Sequence, residues 1–142
     1  MQRIIAAGLV ALALSGCATS PMPVSEAKPV PSDEIYGFKS PALKDSGSLT
    51  VFRDDGFVGS GCDIILYIDG QRAAKIGPGQ KVSFNLPAGD VNLGTGLAES
   101  GLCSGAAIKT VASNIKSGKE AIYRINGDMQ GFYLGPYVDY SR

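Results

Sequence analysis

From Ser48 onward, apolar side chains recur at every second position, and turn residues cut the alternation into short runs. Leu49 and Val51 alternate with Thr50 and Phe52. Cys62, Ile64, Leu66 and Ile68 share one face, with Asp63, Ile65, Tyr67 and Asp69 on the other. Val82, Phe84 and Leu86 alternate with Lys81, Ser83 and Asn85. Val91 and Leu93 continue the pattern, and Ala121, Tyr123 and Ile125 repeat it near the end. A period of two belongs to strands with one buried face, whereas an amphipathic helix needs a period near 3.6. Asp69-Gly70, between Tyr67-Ile68 and Ala73-Ala74, predicts a tight hairpin, because both residue types tolerate positive φ. Asp54-Asp55-Gly56, Gly77-Pro78-Gly79 and Pro87-Ala88-Gly89 supply further reversals. The expected fold is all-β, a small antiparallel β-sandwich over residues 48–142. Residues 104–111 read as another strand, with a short helical turn as the alternative.

Residues 18–47 have a different character. They hold five of the eight prolines (Pro21, Pro23, Pro29, Pro31 and Pro41) among Ser, Glu, Lys and Asp. Such a composition buries too little apolar surface to offset the entropy of ordering, so a disordered tether is expected. Extended proline-rich chain rises about 3.1 Å per residue, which gives a reach of up to roughly 90 Å. Ile35, Tyr36 and Phe38 interrupt the polarity. They are expected to dock onto the domain, a separate contact site being the alternative.

The N-terminus carries a charged start at Arg3, an apolar stretch over residues 4–14, and then Ser15-Gly16-Cys17. A basic start, an apolar run of roughly 7–15 residues and a small-residue cleavage site are the parts of an export signal, and the run is too short to span a bilayer. Leu14-Ser15-Gly16-Cys17 resembles the lipobox of bacterial lipoproteins. The resemblance implies removal of residues 1–16, acylation of Cys17, and a membrane anchor followed by a tether over residues 17–47. An ordinary signal peptide with a coincidental cysteine is the alternative. Ala18 after the cysteine resembles the pattern sorted to the outer membrane, facing the periplasm. With Cys17 taken by lipid, Cys62 and Cys103 remain as a pair in an oxidising compartment, and a structural disulfide is expected between them. A loop of that length contributes about 4 kcal/mol in the chain-entropy picture, against a total of roughly 5–15 kcal/mol for a small domain.

Tyr67-Ile68-Asp69-Gly70-Gln71-Arg72, followed by a strand ending Asn85-Leu86-Pro87-Ala88-Gly89, is similar to PEGA-type and carboxypeptidase-regulatory-like β-sandwiches. It also resembles an uncharacterised group of small bacterial lipoproteins with that layout. The likeness covers residues 48–93 and rests on turn motifs. It departs from PEGA at Gly77-Pro78-Gly79, and it brings no catalytic residues with it.

The chain has no histidine, which excludes Ser-His and Cys-His nucleophilic pairs and imidazole metal ligands. Ser25-Glu26-Ala27-Lys28 and Ser113-Asn114-Ile115-Lys116 fit S-x-x-K, about as often as chance allows, without the companion motifs that chemistry would need. Asp54-Asp55-Gly56 reads as a solvated turn rather than a calcium loop, whose ligands alternate along the chain. No catalytic residue, metal ligand or cofactor site is therefore assigned. Thirteen basic residues balance thirteen acidic ones, and loss of Arg3 with the leader leaves one net negative charge, so no nucleic-acid partner is expected.

Two features offer a binding surface. Gly94, Gly96, Gly101 and Gly105 surround Leu97 and Glu99, in a stretch that Cys103 would pin; a plain connector is the alternative. Phe132, Tyr133, Tyr137 and Tyr140 cluster around Gly135-Pro136, as contacts or as cover for the sandwich edge. Together these features lead to a lipid-anchored, non-catalytic binding or structural module for an envelope protein or polymer. An accessory part of a secretion or conjugation machine and an inhibitor of lysozyme-like enzymes are the alternatives. Composition does not set the oligomeric state.

Overall fold

The alternating runs form two stacked sheets. The computed structural model describes residues 20–56 and 61–140, so Cys17 and the leader lie outside the described residues. The strands are β1 (Lys28–Pro29), β2 (Ser46–Arg53), β3 (Ile64–Ile68), β4 (Gln71–Ile76), β5 (Gln80–Pro87), β6 (Gly89–Leu97), β7 (Lys109–Ile115), β8 (Glu120–Asp128) and β9 (Gly131–Pro136). One sheet has the order β1-β5-β2-β8-β9 and the other β4-β3-β6-β7. Pairing is antiparallel except between β1 and β5 and between β2 and β8.

The predicted core faces meet between the sheets. Leu49, Val51, Val82, Phe84, Leu86, Tyr123 and Ile125 come from the five-stranded sheet, and Ile64, Leu66, Ile68, Ile76, Val91 and Leu93 from the other. Asp69 and Gly70 take φ of 47° and 79°, the two consecutive left-handed residues that a two-residue hairpin turn needs. Residues 104–108, by contrast, run irregularly before β7 begins at Lys109. Gly105 at φ 81° breaks the extended path there.

The central strand β2 is buried on both faces, which simple alternation does not anticipate. On its outer side, Thr50 Oγ1 donates to Glu120 at 2.8 Å and lies 2.8 Å from Ser83 Oγ, so a polar row crosses three strands. Phe52 is covered edge-to-face by Tyr137, with centroids 5.0 Å apart.

The largest departure concerns the proline-rich segment. Its described part, from Ser20, runs along the sandwich instead of away from it, which narrows the expected tether. Two short 3₁₀ turns, Val24–Glu26 and Ser32–Glu34, flank β1, which adds to the edge of β5. Lys28 N and Val30 N donate to Gly79 O and Lys81 O at 2.9 and 2.8 Å. The chain then crosses to the other sheet, where Tyr36 N donates to Ala73 O at 2.8 Å. Ala27 and Val30 are buried, and Ile35 and Phe38 pack against the core. Lys75 bridges to Glu34 at 2.6 Å, and the Tyr36 hydroxyl also donates to Glu34, which holds that carboxyl below its ordinary range. The strap thus covers the exposed edges of β5 and β4, both of which would otherwise offer unpaired backbone. The expected docking of Ile35, Tyr36 and Phe38 is what holds it. Composition missed the rest because the hydrogen-bond partners of the strap come from sheet edges, which exist only after folding.

Val30→Ala removes two buried methyl groups and is expected to lower unfolding stability by about 1.5 kcal/mol in denaturant titration. A change within experimental error would show that the strap is not part of the folded unit.

Candidate functional site

The strand register brings the β2–β3, β4–β5, β6–β7 and β8–β9 connections to one end. β2 finishes there at Arg53, β6 at Leu97 and β8 at Asp128, while β3, β5, β7 and β9 begin there. The β6–β7 loop, residues 98–108, and the β8–β9 turn project from this end. The expected disulfide joins Cys62 to Cys103, with Cα atoms 5.5 Å apart. Sharing a phase with Ile64 and Leu66 could have carried Cys62 into an inter-sheet bridge, but the bond does not cross between the sheets. Cys62 stands in the bend before β3 and Cys103 in the β6–β7 loop, so the bond staples the loop to the mouth of one sheet. Among the described residues, no group of three or more acidic or cysteine side chains is placed to hold a metal ion.

Arg53 organises this end. Its side chain, 1% exposed, points into the sandwich in phase with Leu49 and Val51. The guanidinium donates to Cys62 O at 2.8 Å and to Ile76 O at 3.1 Å, and lies 4.8 Å from the centroid of Phe132. Burial pushes it down to about 10, with Asp63 and Asp55 pulling it back up, so it remains charged at neutral pH. One cation therefore links β2 to the bend that leads into β3, to the end of β4 and to β9.

Next to it, Asp54 corrects the solvated-turn reading of Asp54-Asp55-Gly56. Asp54 is 1% exposed and accepts from Arg124 Nε at 2.9 and 3.0 Å, with the second guanidinium nitrogen completing the pair. The bond to Asp54 raises Arg124 further. Asp55 stays exposed, and its backbone carbonyl accepts from Ser20 N at 2.7 Å.

Between the sheets at this end lies a cleft of about 350 Å³. Ile64, Leu97, Ala106, Ala107 and Phe132 give it apolar walls, and Thr95 and Lys109 add polar groups. Lys109 bridges the sheets at the rim, donating to Phe132 O at 2.9 Å while its ammonium sits 4.3 Å from the Tyr133 ring centroid. A second groove of about 510 Å³ lies on the outer face of β3 and β6, where Ile65, Tyr67, Arg72, Glu99 and Ile108 meet.

Of the residues singled out by sequence, Leu97 lines both clefts, Glu99 the second, and Tyr133 stands at the rim of the first through Lys109. Tyr137 is elsewhere, against Phe52, with its backbone N–H on Ile122 O. Tyr140 is exposed in the C-terminal tail. The aromatics thus do not form one surface, because β9 alternates and the chain beyond it seats Tyr137 on Phe52. Gly94 and Gly96 belong to β6 and do not loosen a loop; a Cβ on either would stand 3.2 Å from Ile108, so glycine lets that side chain lie on the sheet. Phe132, named in the aromatic cluster, does line the first cleft, whereas sequence reasoning missed Lys109 and Thr95, whose only signal was their position at strand ends.

Compared with known proteins, the chain matches no family model, no curated protein and no solved structure.

Replacing Arg53 by Ala leaves two buried carbonyls without their cation and opens a cavity, so a loss of about 3 kcal/mol is expected in chemical denaturation. Arg53→Met, which keeps the stem packed, is expected to lose about half as much. A loss within experimental error for Arg53→Met would show that the stem, not the guanidinium, carries the contact.

Proposed function

We propose that this chain is a lipid-anchored protein of the cell envelope, sorted to the outer membrane and facing the periplasm, whose sandwich acts as a non-catalytic binding module. Its partner is a protein segment that inserts an apolar side chain into the cleft between the sheets. The observation that carries this reading is the pre-formed apolar cleft walled by a loop that Cys62–Cys103 holds in place. A loop already stapled loses less entropy on binding than a free one, so the contact costs less to order. An apolar lining favours a protein side chain over a glycan, which needs convergent hydrogen-bonding groups. The lipobox supplies the address, and the absence of histidine agrees with a module that recognises instead of reacting.

Ala107→Glu places a carboxylate in the cleft. In cross-linking of the mature protein in its native envelope, it is expected to reduce partner capture at least tenfold, since a desolvated charge costs several kcal/mol. Tyr140→Ala is expected to leave capture unchanged. Capture that survives Ala107→Glu, enrichment of a polymer instead of a protein, or hydrolase activity in the purified chain would contradict the reading.

A further inference from the structure

The lipid anchor and the docked strap together fix which way the domain faces. Ser20 is already bound to Asp55 at the end that carries the cleft, and only two residues separate it from Cys17. Fully extended chain spans at most about 3.6 Å per residue, so Ser20 lies within roughly 11 Å of an acylated Cys17. That distance is little more than the polar layer of a leaflet, roughly 5–8 Å from the difference between total and hydrocarbon thickness. A free tether ending at residue 47 would instead allow tens of ångströms and any orientation.

A second observation points the same way. Two loop tips at this end present bare apolar side chains: Leu102 in the β6–β7 loop is 101% exposed, and Met129 in the β8–β9 turn is 77% exposed. Ile108, just before β7, is also exposed. Single exposed apolar residues are ordinary on a protein surface. Here they stand on separate turns that project beside the point where the anchored chain enters.

We infer that this end rests on the bilayer to which Cys17 is anchored, with Leu102 and Met129 seated in the interfacial layer. Acidic and basic groups both border the end, among them Asp55, Glu99, Asp128 and Lys109, so contact depends on the apolar tips and the anchor and not on anionic lipid. The cleft then opens at the membrane surface, and its occupant is a segment that itself lies there. The inference rests on the anchored reading above.

The chain contains no tryptophan, so a single indole reports position without background. Leu102→Trp, Met129→Trp and, at the opposite end before β2, Leu43→Trp are made in the full-length protein and purified as the mature acylated form. Each is reconstituted with vesicles of phosphatidylethanolamine, phosphatidylglycerol and dibrominated phosphatidylcholine. Indoles at 102 and 129 are expected to shift to shorter wavelength and to be quenched at least twofold, with no quenching at 43. In the unsubstituted protein, hydroxyl-radical labelling of Leu102 and Met129, but not Leu43, is expected to fall on vesicle binding, which guards against a substitution that disturbs the loops. Acylated protein that floats with vesicles while its tips stay unquenched and fully labelled overturns the inference and leaves the anchor standing. Equal quenching at all three positions also overturns it. A mature chain without acyl mass on Cys17 overturns both.

Discussion

Arg53 holds the two sheets together at the end where the loops gather. Its strand belongs to one sheet, and its hydrogen bonds end on carbonyls in the bend before β3 and at the end of β4 in the other. A guanidinium suits this task because it presents several donors in a rigid plane and remains charged when buried. Cys62, whose carbonyl it holds, also carries the disulfide. The position of the stapled loop, and with it one wall of the cleft, is thus referred back to a single buried cation. Phe132, across the cleft, rests on the same guanidinium. Taking a charge out of water is expensive, and the fixed carbonyls and aromatic face offset that cost.

The strap over residues 20–40 gives the sandwich its second constraint. It adds a parallel strand to β5, then reaches the edge of β4, where Glu34, Lys75, Tyr36 and Arg72 form a small polar cluster. Lys109 and Phe132 join β7 to β9 on the far side. At the loop end, the described cleft opens between the two sheets. Edge protection and the cleft are both consequences of how one chain closes two sheets.

Much of the fold was legible in the sequence, because alternation reports directly which residues meet in a sandwich core. Leu49, Val51, Val82, Phe84, Leu86, Leu93 and Ile125 are buried as their phase requires. The Asp69-Gly70 hairpin was legible because the turn chemistry is local. The disulfide was legible by counting, but not its location, since phase alone carried Cys62 into the core. What stayed hidden depends on partners distant in sequence. Asp54 looks like half of a turn until Arg124 is brought beside it from 70 residues away. Arg53 is in phase with Leu49 and Val51, so its burial was written in the pattern while its charge argued against it. The parallel pairing of β2 with β8 has no local signature. The proline-rich segment misled because composition counts what a segment lacks, whereas Ala27, Val30, Ile35 and Phe38 needed only the edges of β4 and β5 to dock. For the site, Leu97 and Glu99 were legible through the glycine-rich stretch they sit in and Phe132 through the aromatic cluster, while Lys109 and Thr95 were not.

The central claim is that the described chain from Ser20 onward is one folded unit, with the proline-rich strap docked on the sandwich. Amide hydrogen exchange on the mature protein tests it most directly. Lys28, Val30 and Tyr36 each donate to a sheet carbonyl, and their amides are expected to be protected at neutral pH along with those of β2. Exchange at these three amides at the rate of an unfolded chain, while β2 stays protected, would contradict the account.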